Sequence, residues 1–324
     1  MKYQSPWWLP GGQAQTIWPA LFSQDLVGAA LTFRRERWDT PDSDFIDVDH
    51  VDAPTAGAPL LVLFHGLEGS SQSHYAQAFA SIARARGWAF AVPHFRGCSG
   101  ELNLAPRAYH SGDFEEIGWI LARLKAMHGG QDRPLIAVGV SLGGNALLRW
   151  AEESGAAAAA TARAVCAISS PVDLAASGQA IGRGLNRQIY TRMFLRSMVP
   201  KALRKLAQYP GLFDGERLRA ARDLYAFDNI FTAPLHGFKD TDDYWSRASA
   251  KQHLAQFRIP ALVLNARNDP FIPASSLPEQ QDVGPFVTLW QPGHGGHVGF
   301  AEGALPGRVL GLPGRVCDWL AQSL

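Results

Sequence analysis

From Leu60 onward the chain repeats one unit: a short apolar run ending in turn residues, followed by a helical stretch. The runs are "LLVLFHG", "FAVPHFRG", "LIAVGVS", "AVCAISSP", "ALVLNARNDP" and "FVTLWQPG". Helical patterns such as Ser73–Arg86 and Asp113–Met127 lie between most of them. In the second, Phe114, Ile117, Leu121 and Leu124 fall on one face at helical spacing. A strand that is apolar at every position must be buried on both faces, and a mostly parallel sheet covered by helices on either side provides that. Upstream, "LTFRRERWDT" and "FIDVDHVD" flank Pro41-Asp42-Ser43-Asp44 and read as an antiparallel strand pair forming one edge of the sheet. The expected class is α/β.

The alternation fails once. Between Pro171 and Pro260 comes a long segment of helical character, far too long for a bare connection between strands. A helical cap inserted over the C-terminal edge of the sheet accounts for it, since open α/β sheets bind their ligands at that edge. The expected division is a core from 1–172, a cap from 173–255 and the rest of the core from 256–324. "GAAAAATARA" (155–164) reads as a helix end and connector.

Composition excludes several classes. A net charge of +1 over 324 residues gives no reason to expect nucleic acid as a partner. Cys98, Cys166 and Cys317 form no CxxC pair and no metal spacing, which suits a reducing compartment and buried, unreactive thiols. Prolines and glycines interrupt the apolar start "MKYQSPWWLPGGQAQTIWPALF", and nowhere is there a span of about 20 apolar residues, so a cytoplasmic location is expected. Neither GxxxxGK[ST] nor GxGxxG follows a first strand. His294 and His297 sit among glycines rather than on an HExxH-like helix, so no metal and no cofactor are expected.

Chemistry enters at "PLIAVGVSLGGNALLRW". Gly139-x-Ser141-x-Gly143 lies between a buried strand and a helix, the setting of a nucleophile elbow. A serine hydroxyl needs a base, and the base needs a group to orient it. "NARNDPFIP" follows a strand and offers Asp269; "QPGHGGHVGF" follows the last strand and offers His294 and His297, which spacing alone leaves equal. The order Ser…Asp…His, each residue at a strand end, is that of α/β-hydrolases. For the oxyanion, the backbone N–H groups of Leu67, in "LFHGLEGSS", and of Leu142 are the natural donors. His65 reads as a residue that ties its loop down.

These residues together resemble the YheT-like branch of the α/β-hydrolase superfamily, which also contains the ABHD-type lipid esterases. The resemblance spans nearly the whole chain: "PWWLPGGQAQTI", "HGLEGSSQSHY", "HFRGCSGELN", "YHSGDFEEI", "GVSLGGNALLRW", "FDNIFTAPLHGFKDTDDYW", "NARNDPFIP" and "GGHVGF". It implies Ser141 as nucleophile, Asp269 as acid and His297 as base. It also implies carboxylester hydrolysis, sometimes with acyl transfer to alcohols. Asn268 departs from the branch, where an aspartate often precedes the catalytic one.

The expected function is therefore a serine carboxylesterase that cleaves short- to medium-chain acyl esters, a class of small molecules, through an acyl-enzyme on Ser141. An alcohol acyltransferase with the same three residues and a non-catalytic hydrolase-fold binding protein stay open beside it. From Leu174 to Phe213 there are seven Lys/Arg (Arg183, Arg187, Arg192, Arg196, Lys201, Arg204, Lys205) and no Asp or Glu. This segment reads either as a solvated basic face paired with acids elsewhere, or as a surface for anionic lipid or an anionic substrate. Phe194, Tyr225, Phe227, Phe231, Phe238 and Trp245 are candidates for an acyl pocket, with core packing the expected role of most. Oligomeric state is not readable from the chain.

Overall fold

Each of the six apolar runs becomes a strand, and residues along it alternate between two cores. In the computed structural model, which describes residues 2–23, 28, 30–129 and 133–324, Leu60, Val62 and Phe64 face one core while Leu61 and Leu63 face the other. The strands are β1 (Arg34–Asp39), β2 (Phe45–Val51), β3 (Leu60–Phe64), β4 (Ala89–Pro93), β5 (Leu135–Val140), β6 (Ala164–Ile168), β7 (Ala261–Leu264) and β8 (Val287–Trp290). They form one sheet in the order β1-β2-β4-β3-β5-β6-β7-β8. β2 pairs antiparallel with both β1 and β4; every later pairing is parallel.

Helices cover both faces, as strands apolar throughout require. Ile117, Ile120, Leu121 and Leu124 of α3 (Phe114–Met127) pack on one side with Leu147, Leu148 and Trp150 of α4 (Leu142–Ser154). On the other side lie Phe79 and Ala83 of α2 (His74–Ala85) with Leu312, Val316 and Leu320 of the Gly311–Ala321 helix. Each large aliphatic or aromatic side chain buried this way contributes about 1.5–3 kcal/mol. The β1 edge is charged instead: Arg35 and Arg37 pair with the buried carboxylates of Asp49 and Asp47 at 2.7 and 2.8 Å. Charge along an exposed edge discourages pairing with another chain.

The segment between β6 and β7 is helical, as its length and composition require. Its main helices are Leu174–Ile181, Arg192–Gln208 and Thr241–Ala248, with π-helical turns at Arg187–Thr191 and Asp228–Thr232. No helix among the described residues is long and apolar enough to cross a membrane. The three cysteines are unpaired. Burial pushes the Cys98 and Cys317 thiols up to about 12, which keeps them protonated and inert.

Candidate active site

Ser141 stands at the junction of β5 and α4 with φ +53° and ψ −120°. A residue with a Cβ in the left-handed region costs on the order of 1–2 kcal/mol, so the surroundings must enforce it. They do: Ser141 N–H donates to Ile168 C=O at 2.8 Å, and Ser141 C=O accepts from Gly144 N–H at 2.9 Å. Neither Gly139 nor Gly143 has a positive φ. Their role is close approach. A Cβ on Gly139 would lie 2.4 Å from Gly143 O, and one on Gly143 would lie 2.4 Å from His65 O. The glycines let α4 start directly against β3, and Ser141 carries the strain itself.

The β7 and β8 loops bring Asp269 and His297 to the same edge. His297 Nε2 is 3.0 Å from Ser141 Oγ, and its Nδ1 is 2.8 Å from Asp269 Oδ2. The other carboxylate oxygen of Asp269 accepts from Phe271 N–H at 2.8 Å, and the Asp269 side chain is closed to solvent. Shielded from water, that carboxylate fixes which imidazole nitrogen carries hydrogen: Nδ1–H donates to Asp269, leaving Nε2 free to accept from Ser141. The Phe271 ring lies 4.2 Å from the imidazole, centroid to centroid, and limits its tilt. His294 is exposed, with its ring 3.5 Å from the Asn268 amide.

Two residues that the sequence reading passed over hold these loops. Gln15, in α1 (Gly11–Phe22), is buried. Its Oε1 accepts from Asn268 Nδ2 and from Gly295 N–H, both at 2.9 Å, while its Nε2 donates to Leu9 C=O. Thr16 Oγ1 accepts from His297 N–H at 2.9 Å. The fit is tight enough that a Cβ on Gly299 would lie 1.7 Å from Gln15 O. The glycines of "GGHVGF" are thus a signal that another backbone passes close by.

Leu67 and Leu142 line the same cavity as Ser141. His65 lies beneath this turn. Its Nδ1 is 2.8 Å from Gly66 O, and Phe95 N–H donates to its Nε2 at 3.1 Å. Complete burial lowers its pKa to about 3, so the ring stays neutral and ties the ends of β3 and β4 together.

The cavity, about 140 Å³, is roofed by the helical insertion. Phe194, Phe227, Phe231 and Trp245 line it; Tyr225 is exposed, and Phe238 packs instead against His110 and Tyr244. Its charged lining is mostly matched: Arg96 is held by Asp42, Asp44 and Glu116, and Lys201 by Glu68. Asp228 accepts from Thr232 Oγ1 and Trp245 Nε1, and burial raises its pKa to about 6.

The profile of the alpha/beta hydrolase fold family matches residues 59–304. The chain is similar to the Escherichia coli (strain K12) protein named "Putative esterase YheT", at 37% identity covering 96% of this chain and 90% of that one. It is also similar to mouse "Phospholipase ABHD3", at 28% identity covering 85% of this chain and 68% of that one. Among solved structures, mouse alpha/beta hydrolase domain-containing protein 10 superimposes with a TM-score of 0.56 at 17% identity, covering 89% of this chain and 98% of that one. At that identity the likeness speaks for the fold alone.

Proposed function

The chain belongs to the α/β-hydrolase fold family, in its YheT-like branch, and from that premise we propose that it is a serine carboxylesterase acting on short- to medium-chain acyl esters. The observation that carries this reading is the unbroken hydrogen-bonded line from Ser141 Oγ through His297 to Asp269. His297 Nε2 takes the Ser141 proton as Oγ attacks the ester carbonyl carbon. The N–H groups of Leu67 and Leu142 receive the oxyanion that forms. The imidazolium then gives its proton to the leaving alcohol oxygen, and the acyl group stays on Ser141. Water repeats the sequence: His297 takes its proton, the hydroxyl attacks the acyl carbon, and the carboxylic acid departs as Ser141 regains its hydrogen. Asp269 stabilises the imidazolium in both halves. Residues 173–255 act as the cap over the core of 1–172 and 256–324, and their apolar side chains receive the acyl chain. A cytoplasmic setting accords with the three unpaired cysteines.

The test is Ser141→Ala. Alanine fits the site, so the variant should fold, fail to react with a fluorophosphonate probe, and lose roughly 10⁴–10⁶ in kcat. Near-normal ester cleavage by the folded variant would overturn the mechanism.

A second feature bears on where such esters are met. Arg183, Arg187, Arg192, Arg196 and Arg204 are exposed, and no carboxylate of a described residue lies within ion-pairing distance of any of them. Leu185 and Met193, 58% and 53% exposed, lie among them. Unpaired arginines interleaved with exposed apolar side chains suit contact with an anionic lipid surface, and we propose that this face of the cap makes it.

A further inference from the structure

Glu68 occupies a position where the backbone favours glycine. Gly66 to Gly69 close as a four-residue turn, with Gly69 N–H donating to Gly66 C=O at 2.9 Å, and Glu68 as its third residue has φ +56°. Glycine would meet this geometry without the roughly 1–2 kcal/mol that a Cβ adds. The glutamate is held there by its side chain. Its carboxylate accepts from Tyr109 O–H at 2.9 Å, from Lys201 Nζ at 2.8 Å and from Ser197 Oγ. Its own N–H donates to the Tyr109 hydroxyl at 3.0 Å. Tyr109 in turn stacks on Phe95, with centroids 5.2 Å apart and planes 10° from parallel.

These partners come from two places. Tyr109 belongs to the core, whereas Ser197 and Lys201 lie one turn apart on the Arg192–Gln208 helix, which also gives Phe194 and Met198 to the cavity wall. The residue just before Glu68 is Leu67, the proposed oxyanion donor. A Cβ built on Gly66 would lie 3.2 Å from Ser141 Cβ, so the first residue of the turn rests against the serine.

We propose that Glu68 is a positioning residue: its carboxylate, clamped between Tyr109 and the cap pair Ser197 and Lys201, sets the turn that aims Leu67 N–H at the oxyanion. The inference rests on the reading of Ser141 as nucleophile and Leu67 as donor. It makes cap docking a condition of a complete oxyanion hole, because one helix both walls the cavity and holds the turn.

The informative variant is Glu68→Gly, which relieves the backbone while removing the clamp. A purely structural glutamate predicts a lowered or unchanged Tm, since three donors lose their acceptor as the backbone relaxes, with wild-type turnover. The proposal predicts the same Tm behaviour with kcat on p-nitrophenyl butyrate reduced roughly 10- to 100-fold and KM within about twofold. Lys201→Met, which leaves the turn sequence intact, should reproduce the kcat loss, Lys201→Arg should largely restore it, and Glu68→Gly with Lys201→Met should be no worse than either alone. Should Glu68→Gly fail to fold, Lys201→Met carries the kcat test. Wild-type kcat in the folded single variants, a loss confined to KM, or additive losses would overturn the clamp. Fluorophosphonate labelling of the unaltered chain separates the two readings: labelling with an unaffected Glu68→Gly sinks the clamp alone, whereas no labelling and no ester cleavage sink both.

Discussion

His297 lies three positions after His294, and their surroundings give them opposite prospects. The His297 ring is held between Asp269 and Ser141 with Phe271 against it, while His294 stands in solvent beside Asn268. His297→Ala should therefore lose turnover on the scale of roughly 10⁴–10⁶, because His297 is the imidazole hydrogen-bonded to Ser141 Oγ, and His65, beneath the site, is spent on Gly66 and Phe95. His294→Ala should keep at least partial activity. Steady-state kinetics on one p-nitrophenyl ester decide it, and the reverse ranking would move the base three residues upstream. At this scale the sequence is informative where chemistry coincides with a strand end, since each of Ser141, Asp269 and His297 follows an apolar run. It is silent on which of two neighbouring histidines turns inward. That depends on Thr16 and Gln15 pinning the loop from the far end of the chain.

At the scale of elements, helical phase sets apart two pairs among the basic residues of the Arg192–Gln208 helix. Arg196 follows Arg192 by four residues and shares its outward side of the Arg192–Gln208 helix, whereas Arg204, twelve residues on, stands about 120° round from Arg192 and is exposed there. Lys201 and Lys205, nine and thirteen residues on, fall on the opposite side. There Lys201 meets Glu68, and Lys205 donates to the carbonyls of Asn103 and Ala105 at 2.5 and 2.9 Å. Burial lowers the Lys205 pKa to about 8. Composition counts all seven together; spacing sets Arg192 and Arg196 apart from Lys201 and Lys205, while the exposure of Arg204 follows from the assembled fold. The five exposed arginines lead to a prediction for this segment as a unit. Sedimentation with vesicles rich in phosphatidylserine should be strong at low salt and weak at high salt, with roughly 1 kcal/mol lost for each arginine removed. Arg192→Glu with Arg196→Glu should abolish it without altering kcat on a soluble ester. Equal, negligible binding to neutral and anionic vesicles would leave a plain solvated face.

At the scale of the whole molecule, the site is assembled from residues whose separation along the chain hides their proximity. Periodicity is a local signal, so it reports strands, the helices between them and the point where alternation stops, and those features place the sheet and the insertion. It cannot report that α1 crosses the β7 and β8 loops, since that contact joins residues some 280 positions apart. The exposed charge of β1 and the antiparallel start of the sheet are legible because edge strands differ in composition from central ones. The clamp made by α1 is a requirement of the assembled fold alone. Its consequence can be measured at Gln15, whose amide satisfies Asn268 Nδ2, Gly295 N–H and Leu9 C=O in a buried setting. Gln15→Ala leaves the Gly295 N–H and the Leu9 carbonyl without partners, each costing about 1–3 kcal/mol. The expected result is a Tm lowered by several degrees together with kcat reduced roughly 10- to 100-fold, because freedom in the loop that carries His297 spoils its alignment with Ser141. Thr16→Val, which removes the acceptor for His297 N–H, should lower kcat in the same direction, whereas Thr16→Ser should retain it. Calorimetry and single-substrate kinetics on the three variants are sufficient. If Gln15→Ala keeps both its Tm and its kcat, the amino-terminal helix is packing on the site without holding it.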